Sequence, residues 1–180
     1  MTDKDKVIAR TKKWITDVVI GCNFCPFAQK EMKKNSVHYY VADNANLKAA
    51  LEFLIKECTR LDDDPAIETS FLIFSNSFEK FTDYLHLVDI AEQLLKKEGY
   101  EGIYQLASFH PLYQFAGTAI DDASNYTNRS IYPMLHLLRE ESIENALANF
   151  PDADRIFERN INFAHSKGEV YMKLLRDACF

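Results

Sequence analysis

Apolar residues recur at helical spacing near the start of the chain, where Val7, Ile8, Thr11, Trp14, Ile15, Val18 and Val19 fall on one stripe. The stripe predicts an amphipathic helix over residues 3–20, closed by Gly21 just past its end. Its last residues, "DVVIG", also suit a short strand because three β-branched side chains run together. The extension of the stripe back to Val7 favours helix. "CPFAQKEMKKN" then predicts a second, short helix opening at Cys25-Pro26, and "SVHYYVAD" (36–43) a strand. Leu47, Ala50, Leu51, Leu54, Ile55 and Cys58 mark a helix over 45–60, with Asp43 or Asn44 as its cap.

"ETSFLIFS" (68–75) is apolar at successive positions and predicts a strand covered on both faces. A helix follows from about 78 to 98 and stops at Gly99, with Phe78, Phe81, Leu85, Val88, Leu94 and Leu95 inward. "GIYQLASF" (102–109) is a third strand. "PMLHLLRE" (133–140) supports two readings: a fourth strand with both faces covered, or a helix placing His136 and Glu140 one turn apart. Ser142 caps a short helix ending near Phe150, and Pro151-Asp152 begins a last helix with Gly168 as its weak point. Strands and helices alternate from 36 to 109, which implies βαβ units. The expected fold is α/β (or α+β): a small mixed, partly parallel sheet of about four strands, flanking helices in two or three layers, and a helical C-terminus. No linker, repeat or low-complexity tract breaks residues 1–180, so one globular domain is expected.

Charge narrows the partners. A formal net charge of -6 and the lack of a basic, aromatic-rich run argue against nucleic acid. No apolar run approaches the ~18 residues of a bilayer span, and "MTDKDKVIARTKK" lacks the apolar core of a secretory signal. Four cysteines among 180 residues are too few for a disulfide scaffold. The expectation is a cytoplasmic protein with reduced thiols, no membrane or nucleic-acid partner, and a small-molecule ligand.

The chemistry concentrates in three places. Cys25 stands where a helix N-cap would, facing unpaired N–H groups and the positive end of the helix dipole; such settings draw a thiol from about 8.5 towards 3.5–7.5. That makes Cys25 a candidate nucleophile, redox thiol or metal ligand, with Cys22 three positions earlier as a resolving thiol. As alternatives, both are small apolar residues packing a tight turn, and Cys58 and Cys179 are packing residues. His110 emerges at the carboxyl end of the third strand, where ligands collect in open α/β sheets; Pro111 ends that strand. A capped turn is the plainer account of His110.

The connection "DDASNYTNRS" is rich in turn formers that bond their own backbone. Turn chemistry leaves Arg129 unexplained amid Tyr126, Asn128 and Tyr132. Its five-donor fork suits a carboxylate or phosphate, while Asn125 and Asn128 suit an amide or carbonyl. Last comes His136, between apolar neighbours and followed by Arg139 and Glu140. It reads as a core histidine or as a base oriented by Glu140.

Two resemblances bear on these residues. "CPFAQK" resembles the active-site turn of omega-type glutathione transferases and glutaredoxin relatives, although that fold needs a strand directly before the cysteine and a later cis-proline before a strand. "NFCPFA", "QLASFHPLYQFAG", "DDASNYTNRSIYPMLHLLREES" and "RNI" together resemble domain-of-unknown-function family 1415, along essentially the whole chain. That resemblance implies that Cys25, His110, Asn125, Asn128, Arg129, His136 and Arg139 belong to the family motif, without assigning roles. Cys22 departs from the family pattern, where an aliphatic residue is common.

Three functions follow. A small-molecule enzyme would use Cys25 as thiolate with His110 and His136 as partners, and Asn125, Tyr126, Asn128, Arg129 and Arg139 as the substrate anchor. A metal protein would bind zinc, iron or copper through Cys25, His110 and His136 with an open fourth position. A non-catalytic binding module would line its pocket with Tyr104, Tyr113, Tyr126 and Tyr132.

Overall fold

The structure is a computed structural model that describes residues 2–180. A capping box opens the first helix, α1 (Asp3–Trp14): the Thr2 N–H donates to the Asp5 carboxylate at 2.8 Å, and Asp5 N–H donates back to Thr2 Oγ1 at 3.1 Å. It continues as a π-helical segment, Ile15–Ile20, in which Gly21 N–H reaches back to the Thr16 carbonyl. The helical reading of "DVVIG" is therefore right, and the wider turn is the new feature. After a tight turn come α2 (Ala28–Lys34), β1 (Val37–Ala42), α3 (Leu47–Asp63), β2 (Thr69–Phe74), α4 (Phe81–Lys97) and β3 (Tyr104–Phe109). A long connection with a 3-10 turn at Ala123–Thr127 leads to β4 (Met134–Arg139). The chain ends in α5 (Glu140–Ala148), α6 (Ile156–Lys167) and α7 (Glu169–Asp177).

The sheet order is β1-β2-β4-β3. β1 and β2 run parallel, and β4 is antiparallel to both of its neighbours. The fold is thus α/β with a four-stranded, partly parallel mixed sheet and a helical C-terminus, as expected. The ambiguous segment 133–140 is a strand, and a central one. Two apolar clusters cover the sheet. On one face, Leu72, Phe74, Leu135 and Leu137 meet α3 and α4; on the other, Val41, Phe71, Ile73 and Met134 meet α1, the π segment and the C-terminal helices.

Several local expectations change. Asn46, two residues later than Asn44, caps α3 by accepting from Ala49 N–H at 2.9 Å. Leu85 is not an inward residue of α4, being 41% exposed, while Tyr84, Leu87, Ala91 and Leu95 are buried; Phe78 packs on the core as expected but precedes the helix, at φ 58°. No cap at Ser142 is needed, because α5 starts directly from β4. Gly168, at φ 81°, breaks the last helix into α6 and α7 where glycine tolerates the positive φ. Among the described residues, no helix is long and apolar enough to cross a membrane.

A buried carboxylate is the price of joining β1 to α3 at this point. Burial pushes the Glu57 acid up, but bonds from His38 Nδ1 (2.8 Å), Ser70 Oγ (2.5 Å) and Arg60 Nε (3.1 Å) outweigh it and hold it below its ordinary value.

Candidate functional site

The segment 110–132 folds into a knot of side-chain-to-backbone bonds. Asn125, fully buried, accepts from Phe115 N–H and Thr118 Oγ1 (both 2.9 Å) and donates to the Ala119 carbonyl at 2.9 Å. Asn128 donates to the Ser108 carbonyl, and its own carbonyl accepts from His110 N–H. Arg129, also buried, donates to the Tyr113 and Ile120 carbonyls and lies 4.7 Å over the Tyr126 ring. Tyr126 reaches Glu169 on α7 at 2.8 Å, and Arg176 of α7 reaches the Pro111 carbonyl at 3.0 Å. The amide and guanidinium chemistry so conspicuous in the sequence is engaged in holding the loop's own carbonyls and bolting it to the C-terminal helices.

His110 shares that fate. Its Nε2 donates to the Phe78 carbonyl at 2.9 Å and its Nδ1 accepts from Leu112 N–H at 3.0 Å, so both nitrogens are occupied and one tautomer is fixed. Burial lowers its pKa. Tyr84 and Phe81 pack on its ring. The carboxyl end of β3 is therefore closed where a pocket was expected.

The cavity lies elsewhere. About 690 Å³ opens over the face of the sheet that carries α1, toward the amino ends of β1, β2 and β3, and is roofed by α2 and α5. Ala107 creates its floor. It stands opposite His136 in the β3–β4 register, with Phe71 opposite His136 on the other side. A methyl group there leaves unfilled the volume that a larger side chain would take. Trp14, Ile15, Phe27, Phe71, Phe109 and Ile143 supply apolar wall, with Cys25, Thr69, Gln105, His136 and Arg139 as polar points.

His136 is the most constrained of these. Its ring stacks on Phe71 at 3.8 Å, and Phe71 stacks on Tyr39 at 5.9 Å, a ladder across three strands. Thr69 Oγ1 donates its only proton to the Leu137 carbonyl at 2.5 Å, leaving lone pairs for His136 Nε2 at 2.6 Å. Nε2 must then carry the proton, and Nδ1 keeps a free lone pair. No protein donor reaches that Nδ1 among the described residues, and it is not a sealed atom. Burial brings the imidazole down to about 3, so it is neutral across the physiological range. Glu140 does not orient it; Thr69 does.

Cys25 lies at the rim, and it does not cap a helix directly: α2 begins at Ala28, after a turn at Pro26-Phe27. The backbone N–H groups of Phe27 and Ala28 favour the thiolate, in the direction the sequence suggested. Burial outweighs them and pushes the thiol up rather than down. Cys22 is buried, is held near 11 by burial, and does not line the cavity. All four cysteines are free thiols. The turn is anchored by the "RNI" residues: Arg159 donates to the Asn23 carbonyl and Asn160 to the Phe24 carbonyl, each at 2.7 Å. Helix, not strand, precedes Cys25, so the glutaredoxin-like architecture is not the one formed.

The structure thus brings together Cys25, His136 and Arg139, and separates from them His110, Asn125, Tyr126, Asn128 and Arg129. Arg139 lines the cavity but is itself engaged with the Leu61 and Ile67 carbonyls at 2.5 and 2.9 Å, tying β4 to the loop after α3. The Cys25–His110–His136 ligand set is not assembled, and among the described residues no group of three or more His, Cys, Asp or Glu is placed to hold a metal ion. None of Tyr104, Tyr113, Tyr126 and Tyr132 lines the cavity. Sequence reading missed Trp14, Thr69 and Gln105. Trp14 looked like core, and only a polar threonine heading an apolar strand hinted at the second.

A family model described as a protein of unknown function (DUF1415) matches residues 6–173. No curated protein and no solved structure matches the chain.

Proposed function

From a chain that belongs to the DUF1415 family, we propose a protein that binds a small, largely hydrophobic molecule in the cavity between the sheet and the α2–α5 roof. One observation carries this reading: an apolar chamber of about 690 Å³ built around a neutral histidine whose Nδ1 has no protein partner among the described residues. That volume lies within the roughly 300–1,000 Å³ of small-molecule sites, which are characteristically apolar with a few fixed polar atoms. The acidic balance of the chain fits a soluble ligand better than a polyanion.

Trp14, the sole tryptophan, lines the cavity and serves as the reporter. Titration with the neutral fluorophore N-phenyl-1-naphthylamine is expected to quench Trp14 emission at one equivalent. Replacing Ala107 by Phe fills the floor and is expected to abolish the effect while leaving the thermal transition cooperative. Unchanged binding in that variant would remove the proposal.

Cys25, at the cavity rim, supports a second reading, an acyl-transfer enzyme in which its sulfur displaces the alcohol of a bound ester, which leaves carrying the thiol proton. A covalent adduct on Cys25, seen by mass spectrometry after incubation with cell extract and absent from Cys25→Ser, is its expected signature. Cys25→Ser with unaltered fluorophore affinity and no adduct on the native thiol leaves binding alone.

A further inference from the structure

The polar atoms of the cavity specify more than its size does. His136 presents a lone pair, since Nε2 is committed to Thr69 and Thr69 to the Leu137 carbonyl. Only a ligand that donates a hydrogen can use it. Trp14, 1% exposed, lines the same cavity, and its indole Nε1–H is the buried side-chain polar atom without a partner among the described residues. Both rings pack on Phe109, at 5.3 Å for Trp14 and 6.2 Å for His136. The Trp14 N–H is sealed within the wall, so of these two atoms it is the His136 lone pair that a ligand can reach.

Charge decides what kind of donor fits. Of the cationic residues along the wall, Arg139 is engaged with backbone carbonyls, and Lys34 and Lys30 lie 3.4 and 3.9 Å from Glu31. Glu31 in turn accepts from Ser36 Oγ. Lys30 and Lys34 are exposed and share Glu31, so among the described residues a buried carboxylate beside His136 would meet no free cation and would have no hydrogen to give Nδ1; an uncompensated charge in such a place is costly.

We propose that the cavity takes an uncharged hydrophobic molecule bearing a hydroxyl group, an alcohol or phenol, whose O–H donates to His136 Nδ1. The inference rests on the binding role proposed above. A hydroxyl is the smallest uncharged group that makes this donation. The selectivity resides in Thr69: by donating to Leu137 it fixes the imidazole tautomer, which makes Thr69, itself on the cavity wall, a positioning residue that acts through His136.

Four probes of one ring size separate the possibilities: naphthalene, 2-methoxynaphthalene, 2-naphthol and 2-naphthoate. The expected order places 2-naphthol roughly tenfold tighter than 2-methoxynaphthalene, the worth of about one net hydrogen bond, with 2-naphthoate weakest. In ¹⁵N-labelled native protein, 2-naphthol is expected to move the His136 Nδ1 resonance upfield; 2-methoxynaphthalene leaves Nδ1 in place. Thr69→Val is expected to erase the preference for 2-naphthol while retaining naphthalene. Equal binding of 2-naphthol and 2-methoxynaphthalene, or tightest binding by 2-naphthoate, overturns the hydroxyl assignment and leaves the cavity's binding role standing. Failure of all four probes, naphthalene included, overturns both.

Discussion

His136 shows how one residue ties stability to the site. Its folded pKa of about 3 lies below the ~6.5 of an unfolded histidine, so between those values the unfolded chain holds a proton that the folded chain lacks. Stability from this residue is complete above pH 6.5 and declines as pH falls toward 3. At pH 4 the loss amounts to about 3 kcal/mol, at ~1.4 kcal/mol per unit. Chemical denaturation of native protein and His136→Gln at pH 7 and pH 4 checks this: the variant is expected to lose less on acidification, and equal losses would refute a neutral His136. His110 is lowered in the same sense and remains in both proteins, so the comparison isolates His136. Cys25 makes the complementary case. With its thiol raised by burial, iodoacetamide labelling at pH 7 is expected to run at least about tenfold slower than for a free thiol, and to accelerate only at alkaline pH. Rapid labelling at pH 6 would restore the activated thiolate that the sequence suggested.

Arg129 and Gly21 carry the predictions that belong to whole elements. The loop from His110 to Tyr132 has little regular structure, so its buried carbonyls need side-chain donors, and Arg129 serves two of them. Arg129→Ala is expected to cost about 2–4 kcal/mol in urea unfolding, with probe binding in the cavity retained. Lysine should not rescue it, because a single ammonium cannot reproduce the planar fork over Tyr126. In the π segment, a Cβ on Gly21 would collide with the Asp17 carbonyl oxygen. Gly21→Ala therefore forces that turn to re-form and is expected to lower stability by roughly 1–3 kcal/mol. Because Ile15 and Val19 of this segment line the cavity, probe affinity should fall as well. α5 differs from α3 and α4 in burying no residue fully. Its amides are expected to exchange faster than theirs, and to slow when N-phenyl-1-naphthylamine occupies the chamber beneath.

At the scale of the whole molecule, the insertion of β4 between β2 and β3 sets where a ligand goes. It brings the carboxyl end of an antiparallel strand, with His136 and Arg139, among the amino ends of its neighbours. The opposite end of the sheet, where a doubly wound fold would bind, is filled by the 110–132 loop and the C-terminal helices that clamp it. Any ligand of the folded state should therefore stabilise all layers together. At a concentration 100 times its dissociation constant, the gain is about 2.7 kcal/mol, read as a single shifted thermal transition.

By itself the sequence determined the elements and their class. Periodicity located most helices and strands to within a few residues, because burial of one stripe or two faces is a local demand written in consecutive positions; it left 133–140 open between strand and helix and read α6 and α7 as one helix. It also determined that residues 107–139 are chemically unusual. What it could not decide is the use of those residues. A buried arginine anchoring two carbonyls and an arginine gripping a substrate have the same local signature, and only the partners' positions separate them. Likewise Ala107 and Trp14 look ordinary in sequence. The cavity exists because strand order sets a methyl group beside an imidazole, and that adjacency between residues 29 positions apart in sequence is a property of the register alone.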